Sequence, residues 1–148
     1  MIMKSIISFY DRKMVLPVRT GIITRYYGEL ICVTYDKPYC VLHFAHNTKY
    51  MVDVSLQYLM DNLPSSVFIF GNRSSIINIC YCRELNRSEL FAIMENDIQI
   101  RMSKKNVLKF IWLMNNMPCI SPPCPICYTC TNHECKNHAI FCHAFGKI

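Results

Sequence analysis

The stretch TGIITRYYGELICVTYDKPYCVLHF, residues 20–44, is rich in β-branched and aromatic side chains. Such residues favour β-strands, and the runs 20–27 and 29–35, separated at Gly28, predict a hairpin. A turn at residues 36–38 precedes a third predicted strand over residues 39–44. The first half of the chain is therefore expected to form a sheet.

The segment after these strands has the apolar spacing of a helix. Val52, Leu56 and Leu59 fall on one face of a helix predicted over residues 52–62. Residues 67–70 and 76–82 predict two further strands. Ser88 and Ser103 are suitable N-caps for helices over residues 89–95 and 104–116. Strands interspersed with helices predict an α+β fold, with a small mixed or antiparallel sheet and about three helices.

The C-terminal segment CISPPCPICYTCTNHECKNHAIFCH, residues 119–143, holds nine potential metal ligands. Thiolates and imidazoles separated by short gaps suit tetrahedral Zn²⁺. The sequence therefore predicts a zinc module at residues 118–148 behind an α+β body at residues 1–117. Disulfides require an oxidising compartment, and the N-terminus carries no signal-peptide pattern. A redox motif at residues 124–127 would need a following helix, and no helical pattern follows.

Spacing alone leaves the ligand set open, for either one or two zinc ions. One set has a CxxC…CxxH pattern, and a second interleaves with it. Together they give the candidate metal ligands Cys124, Cys127, Cys130, Cys135, His138 and Cys142. A second metal site is conceivable within the body, although buried cysteines filling space are the simpler interpretation. Its candidate residues are Cys40, His43, His46, Cys80 and Cys82.

A family resemblance rests on this Cys/His-rich segment. Residues 124–127, CPIC, resemble the opening of a RING or U-box-like finger. The spacing of His133, Cys135 and His138 is similar to the central CxHxxC of a RING, with cysteine and histidine exchanged. Small Cys/His-rich proteins of large insect DNA viruses, the baculoviruses, have a similar RING-like end. The resemblance implies a nuclear role in nucleocapsid assembly.

The charge of the chain bears on its partner. Sixteen Lys+Arg against ten Asp+Glu give a formal net charge of +6, which favours nucleic acid. The zinc segment contributes little, because only Glu134, Lys136 and Lys147 are charged after Pro118. The candidate phosphate contacts at the start of the last predicted helix are Lys104, Lys105 and Lys109. A solvated helical face is the alternative interpretation of these lysines.

Several classes of protein are disfavoured. The chain has no HExxH or GxSxG motif and no phosphate-binding glycine-rich loop, with four glycines in all, so an enzyme is not expected. No apolar stretch reaches the ~18 residues of a membrane helix. Without an export signal, the expected location is intracellular, in the nucleus or cytosol, and not secreted.

These patterns together predict a non-enzymatic, zinc-binding protein-interaction protein with a role in viral nucleocapsid assembly or regulation. Its expected partner is another protein, and no membrane is involved. The first alternative is a nucleic-acid-binding regulator that uses the basic body and carries a structural zinc finger. The second is a RING-like ubiquitin-ligase adaptor. Salt dependence separates the first alternative from the others, because phosphate contacts weaken steeply as salt rises.

Overall fold

The computed structural model describes residues 7–116, so the predicted zinc module at residues 118–148 lies outside the described residues. Within residues 7–116 the chain forms eleven β-strands and two α-helices. In chain order these are β1 (Ser8–Phe9), β2 (Lys13–Val18), β3 (Gly21–Tyr26), β4 (Leu30–Asp36), β5 (Tyr39–Phe44), β6 (Thr48–Val52), α1 (Leu56–Asn62), β7 (Phe68–Asn72), β8 (Ser75–Asn78), β9 (Cys82–Asn86), β10 (Phe91–Met94), β11 (Gln99–Arg101) and α2 (Lys104–Asn116).

The described strands form three antiparallel sheets. The central sheet has five strands in the order β6-β5-β4-β8-β7. The other two sheets have three strands each, in the orders β1-β2-β3 and β11-β10-β9. Helix α1 contacts β7 and β8, and α2 contacts β7. The last strand of the central sheet is therefore the one that carries α2.

The core is built on the middle of the central sheet. The first four residues of β4, Leu30 to Val33, are all buried. A strand covered on both faces has a continuous apolar run instead of alternating apolar and polar residues. Phe44 on β5 and Phe68 on β7 are among the largest fully buried side chains. This rigid centre holds the turns at the ends of its strands in fixed positions.

Both helices begin at serine caps. The Ser55 hydroxyl accepts the Tyr58 N–H at 3.0 Å, and the Ser103 hydroxyl accepts the Asn106 N–H at 3.1 Å. The predicted helix starting after Ser103 is thus confirmed, and its Phe110 is buried in the core. Among the described residues, neither helix is long and apolar enough to cross a bilayer.

The expected α+β fold with about three helices is wrong, because the described domain is mostly β-sheet with two helices. The helix predicted over residues 89–95 is a turn followed by β10. Ala92 and Met94 are buried in alternation with half-buried neighbours, which is the period of a strand. The Asn86 side chain, not Ser88, organises the turn, because its oxygen accepts the Glu89 N–H at 2.8 Å.

The hairpin predicted around Gly28 is also wrong. A 3-10 turn, Tyr27–Glu29, separates β3 from β4. Strand β3 pairs with β2, whereas β4 pairs with β5 and β8. The Glu29 carbonyl accepts the Ala45 N–H at 2.8 Å, which binds this turn to the end of β5. The segment therefore passes from one sheet to another and does not fold back on itself.

Candidate nucleic-acid interface

Two tight turns lie side by side at one end of the central sheet. Residues 37–38 join β4 to β5, and residues 73–74 join β7 to β8. Strands β4 and β8 pair antiparallel with Thr34 opposite Ser75, at the last rung before both turns. The Tyr35 N–H donates to the Ser74 carbonyl at 2.8 Å, so a backbone hydrogen bond joins the two turns.

The start of α2 lies against the same end of the central sheet as the two turns. The Ser103 N–H donates to the Gly71 carbonyl at 3.1 Å, and the Asn106 side chain donates to the same carbonyl at 3.5 Å. The Asn72 side chain donates to the Arg101 carbonyl just before the helix. The first turn of α2 is thus held against the β7–β8 turn. We call the two turns and residues 101–106 the cationic end.

Gly71 makes this close approach possible. A Cβ atom at residue 71 would lie 2.7 Å from the Ile100 Cγ2 and 2.7 Å from the Ser75 Oγ. Both neighbours are packed side chains, and Ile100 belongs to β11 of a different sheet. Any larger residue would push β11, and with it the start of α2, away from β7.

The β7–β8 turn presents an arginine to solvent. The Asn72 side-chain oxygen accepts the Ser74 N–H at 2.7 Å, which fixes the backbone on both sides of Arg73. Arg73 is exposed, and among the described residues no hydrogen bond or ion pair is formed by its guanidinium. An exposed arginine at the tip of a tight turn between two sheet strands can reach a phosphate or a base edge of a nucleic acid.

A cleft of about 730 Å³ separates the turn from the helix. Six of its seven lining residues carry polar or cationic groups, although more of the lining surface is apolar than polar; the seven are Gln57, Phe70, Asn72, Arg73, Ser103, Lys105 and Asn106. Side-chain amides, a hydroxyl and two cations are the donors that contact phosphate oxygens and base edges. The cleft is therefore suited to an anionic, hydrogen-bonding partner.

Charge is concentrated at the cationic end. All its basic side chains are exposed, namely Lys37, Arg73, Arg101, Lys104 and Lys105. No acidic residue occurs between residues 98 and 116, and the first turn of α2 has none. The N-terminus of a helix also attracts anions through its free N–H groups and its dipole. Two exposed acidic side chains at this end of the central sheet, Asp36 at the end of β4 and Asp53 just after β6, offset part of this charge.

The lysines predicted from the sequence differ in position. Lys105 lines the cleft, and Lys104 is exposed beside it in the first turn of α2. Lys109 is exposed more than a turn further along the helix. Arg73 and Asn72 were missed, because they fall between the strands predicted over residues 67–70 and 76–82 and were given no role. An arginine inside a tight turn with an Asx hydrogen bond was the available signal.

Among the described residues, the thiols and histidines proposed for a second metal site are not brought together. Within residues 7–116, no group of three or more His, Cys, Asp or Glu side chains is placed to hold a metal ion. Burial raises the pKa of Cys32 to about 12, and that of Cys40 and Cys82 to about 11. These thiols are therefore protonated at neutral pH. Burial, aided by the charge of Lys49, lowers the pKa of His43.

A mostly β domain that presents cations on adjacent turns and at a helix start has the features of a nucleic-acid-binding domain. The family model of the LytTr DNA-binding domain matches residues 22–114. Since the match spans more than half of the chain, the chain belongs to the LytTR DNA-binding domain family. The family match includes the whole central sheet and all residues of the cationic end.

A solved structure has a similar fold. It is the LytTr DNA-binding domain of a putative methyl-accepting/DNA response regulator from Bacillus cereus, with a TM-score of 0.60 and 18% sequence identity. The similarity covers 71% of this chain and 98% of that one. At this identity the likeness establishes the fold alone. No curated protein sequence matches the chain.

These findings correct the interpretation drawn from the cysteines. The resemblance to RING or U-box-like baculovirus proteins is wrong, and so is the assignment as a viral, zinc-binding protein-interaction protein. The ligase-adaptor alternative is wrong for the same reason. Family membership supports nucleic acid as a partner class, while a protein partner is not shown. The predicted ligands Cys124, Cys127, Cys130, Cys135, His138 and Cys142 lie outside the described residues.

Proposed function

We propose that this chain is a DNA-binding regulator that contacts duplex DNA through its cationic end. The observation that carries the proposal is that Arg73 and the N-terminus of α2 with Lys105 line the same cleft. Membership of the LytTR DNA-binding domain family supports DNA as the partner. The expected intracellular location is compatible with this role.

The proposed interface makes two kinds of contact with DNA, one to base edges and one to phosphates. Arg73, at the tip of the β7–β8 turn, reads base edges in the major groove, where arginine forms paired hydrogen bonds with guanine. Lys104 and Lys105, with the free N–H groups of α2, bind phosphate oxygens and position this turn. Tyr35 is 42% exposed beside the same turn and adds contact area on the sugar-phosphate backbone.

The first experiment finds a target and measures its salt dependence. A duplex is selected from a random pool with the full chain, and its affinity is measured by fluorescence anisotropy over a series of salt concentrations. Each phosphate contact contributes about −0.9 to the slope of log K against log salt for B-DNA. Lys105→Ala should weaken binding to all duplexes and make this slope shallower by about 1.

The matched control is Lys49→Ala. Lys49 is an exposed lysine on β6, just after the β5–β6 turn, which lies at the opposite end of the central sheet. This variant should keep the slope and affinity of the wild-type chain. Equal losses in the two variants would assign the binding to net charge and not to the cationic end. A pool that yields no bound duplex would refute the proposed function.

A further inference from the structure

Helix α2 leaves a large apolar stripe exposed. Leu108 is 60% exposed and Trp112 is 63% exposed. The two residues are four apart, so they lie on the same face of the helix. Val107 and Phe110 point to the other side and are buried in the core. The stripe is therefore a second apolar face of α2, one that no described residue covers.

The position of the stripe indicates its occupant. Helix α2 ends at Asn116, and the family match ends at residue 114, so residues 117–148 are additional to the matched domain. This segment is poor in charge, with Glu134, Lys136 and Lys147 as its charged side chains. Its large apolar side chains, which need a surface to pack on, include Ile120, Ile126, Ile140, Phe141 and Phe145.

The attached segment reaches the stripe easily. A helix rises about 1.5 Å per residue, so Leu108 lies about 12 Å from the end of α2. About four extended residues, at about 3.3 Å each, span that distance. A segment tethered this closely is present at an effective concentration in the millimolar range, above that of a second copy in dilute solution.

We propose that residues 117–148 fold back and pack on the Leu108 and Trp112 face of α2. The C-terminal segment is then a part of the domain's outer surface and not a separate module. The packing uses the Leu108 and Trp112 side chains, whereas the proposed DNA contacts use Lys104 and Lys105 one turn earlier on α2, and the tests of the packing are made without DNA. Loss of DNA binding and loss of this packing are therefore separable results.

Trp112 provides a direct test, because it is the only tryptophan in the chain. Fluorescence quenching by iodide is measured on the full chain, folded and in guanidinium. Packing of the segment on the stripe should make the quenching constant severalfold smaller in the folded chain. Equal quenching in the two states would overturn the proposal. The folded measurement is repeated over a range of protein concentrations, and protection that appears only at high concentration would assign the stripe to a second copy.

A photo-crosslink identifies what covers the stripe. Leu108 is replaced by p-benzoylphenylalanine in the full chain, and the irradiated monomer is digested and analysed by mass spectrometry. The expected product joins position 108 to a peptide from residues 117–148 of the same molecule. Ile22 on β3, which is 70% exposed, receives the same replacement as a control and should give no such product. Products that join two copies, or none to the segment, would contradict the proposal.

Discussion

The Ser103 N–H donates to the Gly71 carbonyl at 3.1 Å, and this contact joins the start of α2 to the β7–β8 turn. Ser103 also caps the helix with its hydroxyl, while Gly71 packs against Ile100 and Ser75 with no room for a side chain. Together with the hydrogen bonds from the Asn106 and Asn72 side chains, this contact fixes the helix N-terminus relative to Arg73. The predicted DNA surface depends on that fixed relation.

Gly71→Ala should move the start of α2 away from the β7–β8 turn. The added Cβ would meet the Ile100 and Ser75 side chains at 2.7 Å, and such overpacking typically costs about 1–3 kcal/mol. Urea denaturation should show this loss of stability, and anisotropy should show weaker DNA binding. Ser74→Ala, in the exposed β7–β8 turn three residues away, is the control and should change stability by no more than about 0.5 kcal/mol. A stability for Gly71→Ala equal to that of the control would mean that β11 moves without cost.

Asn72→Ala tests whether the turn is preorganised. The substitution removes the acceptor for the Ser74 N–H and the donor to the Arg101 carbonyl, yet it leaves every charge in place. We expect a stability loss of about 1 kcal/mol and, in addition, weaker DNA binding. Asn62→Ala removes one side-chain hydrogen bond on α1 and should affect stability alone. Unchanged DNA affinity in Asn72→Ala would show that Arg73 needs no fixed turn.

His43 should make stability depend on pH. Its Nε2 lies 2.8 Å from the Thr34 hydroxyl, and burial lowers its pKa from the usual 6.5. Near pH 6.5 the unfolded chain therefore binds a proton at His43 that the folded chain does not bind. Because of this difference, the free energy of unfolding falls as the pH drops below that value. Above it, this contribution is constant. Urea denaturation from pH 8 to pH 5 measures the slope.

Two variants test whether His43 causes this pH dependence. His43→Asn should reduce the loss of stability on acidification. His46→Asn replaces an exposed histidine with a positive φ of 65° by a residue that tolerates this backbone, and it should keep the wild-type slope. If both variants keep the slope, another group is responsible for it.

Zinc binding by the C-terminal segment stays a prediction with a simple measurement. Native mass spectrometry of the reduced full chain should show one or two zinc ions. Cys124→Ser should lose zinc, because the CxxC pair at residues 124–127 is the commonest half-site. Cys32→Ser, which changes a buried thiol of β4, is the control and should retain all metal. A metal-free chain with intact thiols would refute the prediction.

Local sequence was enough for some elements of the fold. β-branched and aromatic runs predicted β4, β5 and β7, and the helix after Ser103 was predicted from its cap and apolar face. The segment at residues 89–95 was mistaken for a helix because its serine cap and apolar residues fit either structure. Its alternating burial, with Leu90 at a φ of 60°, depends on pairing with the neighbouring strands β9 and β11, and the residues of the segment alone do not reveal that pairing.

Only the lysines of the candidate site could be predicted from the sequence. Lys104 and Lys105 stand at a helix start, which is a local feature. Arg73 lies in a turn 31 residues before Lys104, and contacts between β7 and the start of α2, including the Gly71 and Asn72 hydrogen bonds, bring it to the same cleft. The dense cysteines drew the functional interpretation to a segment that follows the family domain.

The most direct test of the account compares Arg73→Ala with Arg19→Ala on the selected duplex and on a scrambled one. Arg19 is exposed after β2, outside the central sheet, so both variants lose one surface cation. Arg73→Ala should lose about 1–3 kcal/mol of discrimination between the two duplexes, since a base contact specifies sequence. Arg19→Ala should discriminate as the wild-type chain does. Equal discrimination by all three proteins would contradict the assignment of DNA reading to the cationic end.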